Sequence, residues 1–221
     1  AIICACEELP ENPDPEISVS PSLYSINGHV QKGPFNLGTS IMIQSLDEDL
    51  NPTGKIYNTK TINDAGTFGI ENQIESRYIE IIASGYYFNE VSGKVSEAPM
   101  TLRALSDLNE RGTTNVNLLT ALESDRVRFL AVEQNLSLND ARKQAEEELF
   151  RLFNIPDQVS SSGGFDKMNI AEGGSQNAIL LAISASLQSQ RSTGELHELV
   201  SKIALDLADN GKVDDELIRK Q

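Results

Sequence analysis

A chain of 221 residues with a net charge of −15, 39% hydrophobic and 5% aromatic residues has the length of one large or two small domains. A field of that sign repels phosphate backbones, which argues against nucleic acid as a partner. The chain holds no Trp, so it is lean in the flat rings that sugar and nucleic-acid sites favour. No run of 18 apolar residues occurs, so no stretch has the length and apolarity of a membrane-crossing helix.

The chain starts at Ala1 rather than Met, and its last residues, Ile218-Arg219-Lys220-Gln221, still follow a helical pattern; further segments on both sides are expected. Its two cysteines, Cys4 and Cys6, lie in Ala1-Ile2-Ile3-Cys4-Ala5-Cys6 and are followed at once by Glu7-Glu8. An apolar, small-residue stretch of this kind reads as the end of a secretory signal. Ile3-Cys4-Ala5-Cys6 resembles the bacterial lipobox. The resemblance implies a lipid on Cys6 and a membrane contact through it; the departure is Cys4 at the middle position. A Cys4–Cys6 disulfide over one intervening residue is strained. Residues 7–16 hold three prolines and five acids, which cannot build a core, so residues 7–22 read as an extended acidic tether. Acid directly after a lipidated Cys resembles the export signal of surface lipoproteins in some Gram-negative bacteria; a solvated spacer has the same composition.

Strands are predicted at even spacing from residue 23 to residue 107. They cover residues 24–30, 40–46 and 55–61, two more from the stretch 61–90, and a last one at residues 99–105 with Met100, Leu102 and Ala104 on one face. Asp64 and Gly66 read as a tight turn, with Phe68 the first inward residue of the next strand. Short strands with turn signals between them predict a β-sandwich. Residues 47–54 read as a polar hairpin loop. Its Asp47, Asp49 and Asn51 alternate as calcium ligands do, but Pro52 stands where a calcium loop needs Gly. His29 has no second His or Cys near it in sequence and reads as structural or exposed.

Gly28-x-Val30, Gly33-Pro34, Gly38-Thr39, Thr61-x-x-Asp64-x-Gly66-x-Phe68 and Ala83-x-Gly85-Tyr86 together resemble the carboxypeptidase regulatory-like domain over residues 24–105. The resemblance implies a transthyretin-like antiparallel sandwich that acts as a non-catalytic module or spacer.

From residue 108 the period changes to that of helices. The first, residues 115–134, is expected to pack through Leu118, Leu122, Phe129 and Val132, with Leu119 and Leu130 flanking. Ser137 caps a second, with Ala141, Ala145, Leu149, Leu152 and Phe153 inside and Glu146 to Glu148 facing water. Residues 158–174 are Ser- and Gly-rich and read as a connector. Ser175 is expected to cap a helix over residues 177–188 that is apolar nearly all round and is therefore predicted to be central. Ser192-Thr193-Gly194-Glu195 is a capping box, and Gly211 suits a left-handed stop to the last amphipathic helix. His197 is expected at its boundary with solvent. Asp206, Asn210, Gly211, Val213 and Asp214 mimic part of a calcium loop, but Ala208 and Leu217 occupy ligand places. Asn115-Val116-Asn117-Leu118-Leu119-Thr120 and Ile183-Ser184-Ala185 resemble segments of bacterial lipoproteins in which a sandwich domain precedes a helical region.

The fold class predicted is thus α+β by segregated domains: an antiparallel sandwich over residues 23–107 and a helical bundle over residues 108–221, behind a signal and lipobox remnant (1–6) and a tether (7–22). The two histidines fall in different halves and both cysteines in the signal-like tail, and no Gly-x-Ser-x-Gly, His-Glu-x-x-His or phosphate loop occurs. No enzyme, cofactor or metal is expected. The chemistry points instead to a lipid-anchored outer-membrane protein, at the cell surface, with a binding, adhesive or scaffolding role toward a glycan or protein. A periplasm-facing accessory subunit and a paired-carboxylate polysaccharide hydrolase are the alternatives. The candidate contact residues are Tyr86, Tyr87, Phe88 and Asn89, the one aromatic cluster; core packing is the other reading of the same residues.

Overall fold

The computed structural model describes residues 23–110, 112–156 and 163–219. Cys6, the tether and part of the Ser-rich connector lie outside these residues. The chain is α+β, with strands first and helices after them. β-branched, alternating segments make β1 (Tyr24–Gln31), β2 (Ser40–Leu46), β3 (Pro52–Lys60), β4 (Thr67–Ile74), β5 (Tyr78–Gly85) and β8 (Met100–Asp107). Two short strands, β6 (Phe88–Asn89) and β7 (Lys94–Val95), form a hairpin not foreseen from the sequence. A four-stranded antiparallel sheet runs in the order β3-β2-β5-β8; a second has the order β4-β1-β9, with β9 (Val116–Asn117) parallel to β1.

Alternation decides what each sheet buries. Ile41 and Ile43 of β2, Ile79, Ile81 and Ala83 of β5, and Met100, Leu102 and Ala104 of β8 point inward. They join Ile26, Val30, Phe68 and Ile70 of the other sheet in one buried cluster. The same cluster continues into Leu118, Leu122, Leu196 and Ile203 of the helices. The turn before β4 is fixed by Asn63, whose Oδ1 accepts the backbone N–H groups of Ala65 and Thr67, and by Gly66 at φ +74°. A side chain at Gly66 is excluded twice, by that φ and because its Cβ would sit 2.3 Å from the Val30 carbonyl oxygen.

The helices are α1 (Leu118–Glu133), α2 (Leu138–Leu152), α3 (Ser175–Gln188), α4 (Thr193–Asn210) and a single turn, α5 (Glu216–Arg219). Ser137, Ser192 and Gly211 end their helices as the sequence predicts: Ser137 accepts from Asp140 N–H, Ser192 and Glu195 close a capping box, and Gly211 is left-handed at φ 72°.

Four expectations need correction. The helix expected from residue 115 starts at Leu118, because the Asn117 side chain accepts the N–H groups of Leu119 and Thr120 and so caps it. Val132 is 42% exposed and Phe129 half-buried, while Val127 and Leu130 are inside. Glu146 and Glu148 are buried, with only Glu147 facing water. Glu148 is drawn in by Arg126, which it meets in a two-pronged ion pair of 2.7 and 2.9 Å. Lastly, α3 is peripheral. Only Leu180, Ile183, Ser184 and Gln188 of it are buried, Leu181 is 39% exposed, and Gly174 rather than Ser175 holds the cap position. The central helix is α1, whose polar Thr120, Glu123, Ser124 and Arg126 are buried along with its leucines. Among the described residues no helix is long and apolar enough to cross a membrane.

Candidate functional site

The residues singled out as an aromatic cluster lie on the β6–β7 hairpin and the segment leading into it. Asn89 builds the turn: its Oδ1 accepts the N–H groups of Val91 and Ser92, and Gly93, at φ +68°, donates to the Asn89 carbonyl. Strand alternation then divides the aromatics. Tyr86 and Phe88 share one side and are 47% and 43% exposed. Val95 stands opposite Phe88 and is 53% exposed; Val91 and the neighbouring Leu37 are exposed too. Tyr87 points the other way and is 0% exposed.

Tyr87 therefore belongs to the support of the site, not its surface. Its ring centroid is 5.6 Å from that of Phe35, and its hydroxyl donates to Gln188 Oε1 at 2.7 Å. Burial pushes that hydroxyl's pKa above the ordinary tyrosine value. Lys32 lies under the same ring, with Nζ 5.4 Å from its centroid and no exposed surface. Burial holds the Lys32 pKa below its ordinary value, against the opposing pull of Glu90, whose Oε1 is 2.7 Å away. Ser184 of α3 completes the arrangement. Its Oγ lies 2.7 Å from both Glu90 Oε1 and the Lys32 carbonyl, and its single proton serves one of them.

The backbone is pinned as closely. Phe88 N–H donates to the Pro34 carbonyl, and Asn36 N–H to the Tyr86 carbonyl, both at 2.9 Å. Gly33 permits this approach: a Cβ there would lie 1.9 Å from the Phe88 oxygen. Asp64 Oδ1 accepts the Leu37 N–H at 2.8 Å and so fixes the adjoining loop. Gly33-Pro34, Gly38-Thr39, Thr61 to Phe68 and Gly85-Tyr86 thus gather at one end of the sheets, around the hairpin. Leu23, just before β1, lies at the other end of that eight-residue strand, about 25 Å away along the chain.

Of the predicted contact residues, Tyr86 and Phe88 are on the surface, Asn89 spends its oxygen on the turn, Tyr87 is interior, and Cys6 lies outside the described residues. Leu37, Val91 and Val95 were missed. The signal for Val95 was present, since Asn89 and Gly93 flank a turn that brings Phe88 and Val95 together; nothing local announced Leu37.

Elsewhere two of the acids singled out in the sequence brace turns. Asp47 Oδ1 accepts the N–H groups of Asp49 and Asn51 at 3.0 and 2.8 Å. Asp206 Oδ2 accepts those of Asp214 and Asp215. His29 is half-buried, its N–H donating to Asn115 Oδ1. Among the described residues no group of three His, Cys, Asp or Glu side chains is placed to hold a metal ion. Comparison with family models, curated proteins and solved structures gives no match.

Proposed function

We propose that this chain is a lipid-anchored protein of the bacterial outer membrane, facing the cell exterior, that works as a non-catalytic binding module through the Tyr86–Phe88–Val95 face of its hairpin. The observation that carries the reading is the pairing of exposed and buried groups there. Aromatic and aliphatic side chains stand in solvent on a hairpin whose underside is fixed by Lys32–Glu90 and Tyr87–Gln188. A rigid apolar surface of that kind loses little entropy when it binds. The fold begins at Leu23, beside the end of β1 away from the hairpin, so a lipid on Cys6 would be joined to the fold on the side opposite the hairpin face. The two sheets that share one buried cluster support a transthyretin-like sandwich of the carboxypeptidase regulatory-like kind, and the helices a bundle attached to it.

Fatty-acid labelling of the full-length protein tests the anchor: Cys6→Ser is expected to abolish the label, and label retained on that variant refutes it. Protease treatment of intact cells tests the orientation, with the folded part expected to be lost while the cells stay sealed. A periplasm-facing accessory that docks through its helices is the second reading, favoured by the exposed Leu181 on α3. Protection until the outer membrane is opened would select it.

A further inference from the structure

On the other side of the four-stranded sheet, β5 and β8 alternate outward as well as inward. Glu80 and Ile82 of β5 and Arg103 of β8 face α4, which sets His197, Val200 and Ala204 against them at helical spacing. A cleft of about 410 Å³ remains between the two, within the range of small-molecule sites, about 300–1,000 Å³. It shares no residue with the hairpin face.

The polar groups around this cleft have capacity to spare. Arg103 gives one terminal nitrogen to Asp125, and its Nε and other terminal nitrogen have no hydrogen-bond partner among the described residues. Glu80 receives Arg128 on Oε2 at 3.3 Å, and no bond to its Oε1 forms among those residues. The His197 ring nitrogens are likewise without a partner there. Glu80 pairs with Leu105 and Ile82 with Arg103, so Glu80 and Arg103 are diagonal neighbours on the same face, a spacing of about 7–8 Å between backbones. Asp125 and Arg128, both on α1, each pair with one of the two charged groups, which restricts them before anything binds.

We infer that this cleft is a second binding site, taking a small zwitterion with an α-ammonium and a carboxylate, of amino-acid or dipeptide size. The carboxylate goes to Arg103 and His197, the ammonium to Glu80, and the aliphatic part against Ile82, Val200 and Ala204. A ligand with only a carboxylate would bring it beside Glu80. One with only an ammonium would bring it beside Arg103. A zwitterion answers both charges and leaves neither facing its like.

Calorimetric titration of the protein with L-alanyl-L-alanine tests this, alongside its N-acetyl form, an anion, and its C-terminal amide, a cation. The free dipeptide is expected to bind saturably in the millimolar range or below, and each blocked form at least about tenfold more weakly, the loss of one charge-assisted hydrogen bond. Glu80→Gln should erase the preference over the acetylated form, and Arg103→Met the preference over the amide. Ser201→Phe fills the cleft from an exposed position on α4 without touching an ion pair, and should abolish binding with the melting temperature unchanged. Absence of saturable binding by the free dipeptide, binding of either blocked form as tight as that of the free dipeptide, or binding that survives Ser201→Phe overturns the assignment.

Discussion

The helical part meets the strands along two seams of different chemistry. Under α1 and α2 the contact is centred on an apolar cluster, in which Leu46, Leu50 and Leu105 receive Val127, Leu130, Leu138, Ala141 and Ala145, with the ion pairs Arg103–Asp125 and Arg128–Glu80 beside it. Along α3 and the loop before it the contact is polar. Lys32, Glu90 and Ser184 form one knot, Tyr87 and Gln188 a second, and Gln31 a third, donating to Asn169 Oδ1 at 2.6 Å and accepting from Ile170 N–H. Apolar burial is non-directional and scales with area; a hydrogen-bonded ion pair works at one geometry only. The apolar seam therefore carries stability, and the polar seam sets the position of the hairpin and its exposed face.

The largest effect is expected from splitting the buried ion pair. Glu90→Ala leaves the Lys32 ammonium without exposure or a carboxylate partner and should cost about 3–5 kcal/mol in urea unfolding. Lys32→Met/Glu90→Met removes both charges and should restore most of that loss; equal instability of the two variants would mean that packing, not charge, holds the hairpin. Leu130→Ala at the apolar seam should cost about 2–5 kcal/mol and leave hairpin exchange rates at their original values.

A pH series reaches the helical half through Glu148. Burial by itself would raise the Glu148 pKa, but hydrogen bonds from Arg126 and Gln144 and the Arg126 charge outweigh it and hold the carboxyl below its ordinary value of 4.5. The stability this provides is complete above pH 4.5 and is lost as pH falls from there through the lower folded value. Glu148→Gln should flatten that acid limb of the stability curve; a limb that keeps its slope would assign acid unfolding to other carboxylates. The smallest change in stability, within about 0.5 kcal/mol each, is expected for Tyr86→Ser and Phe88→Ser, although the proposed function has them remove binding.

The strands were legible because they obey their own period. Ile79, Ile81 and Ala83, or Met100, Leu102 and Ala104, announce an inward face with no outside information, and the caps at Ser137, Ser192 and Gly211 are equally local. The order of the helices was not. Residues 175–190 carry no charge, which made α3 look central, whereas α1 is central because partners far away accept its polar groups. Arg126, for instance, also donates to the carbonyls of Ala208 and Asp209 at the end of α4. The hairpin shows the same limit. Alternation separates Tyr87 from Tyr86 and Phe88, but that Tyr87 is the interior one depends on Phe35 and on Gln188, 101 positions away. The cleft beside α4 was invisible for the same reason: Glu80, Arg103 and His197 come from three elements and meet only once the sheet is formed.

Native-state hydrogen exchange on Lys32→Met/Glu90→Met tests the division between the seams most directly. Faster exchange confined to residues 88–96 and α3, with β2, β5 and β8 as protected as in the parent protein, is the predicted result. Unchanged exchange in the hairpin, or a uniform rise across the sheets, would contradict the account and leave the exposed Tyr86–Phe88 face without its proposed support.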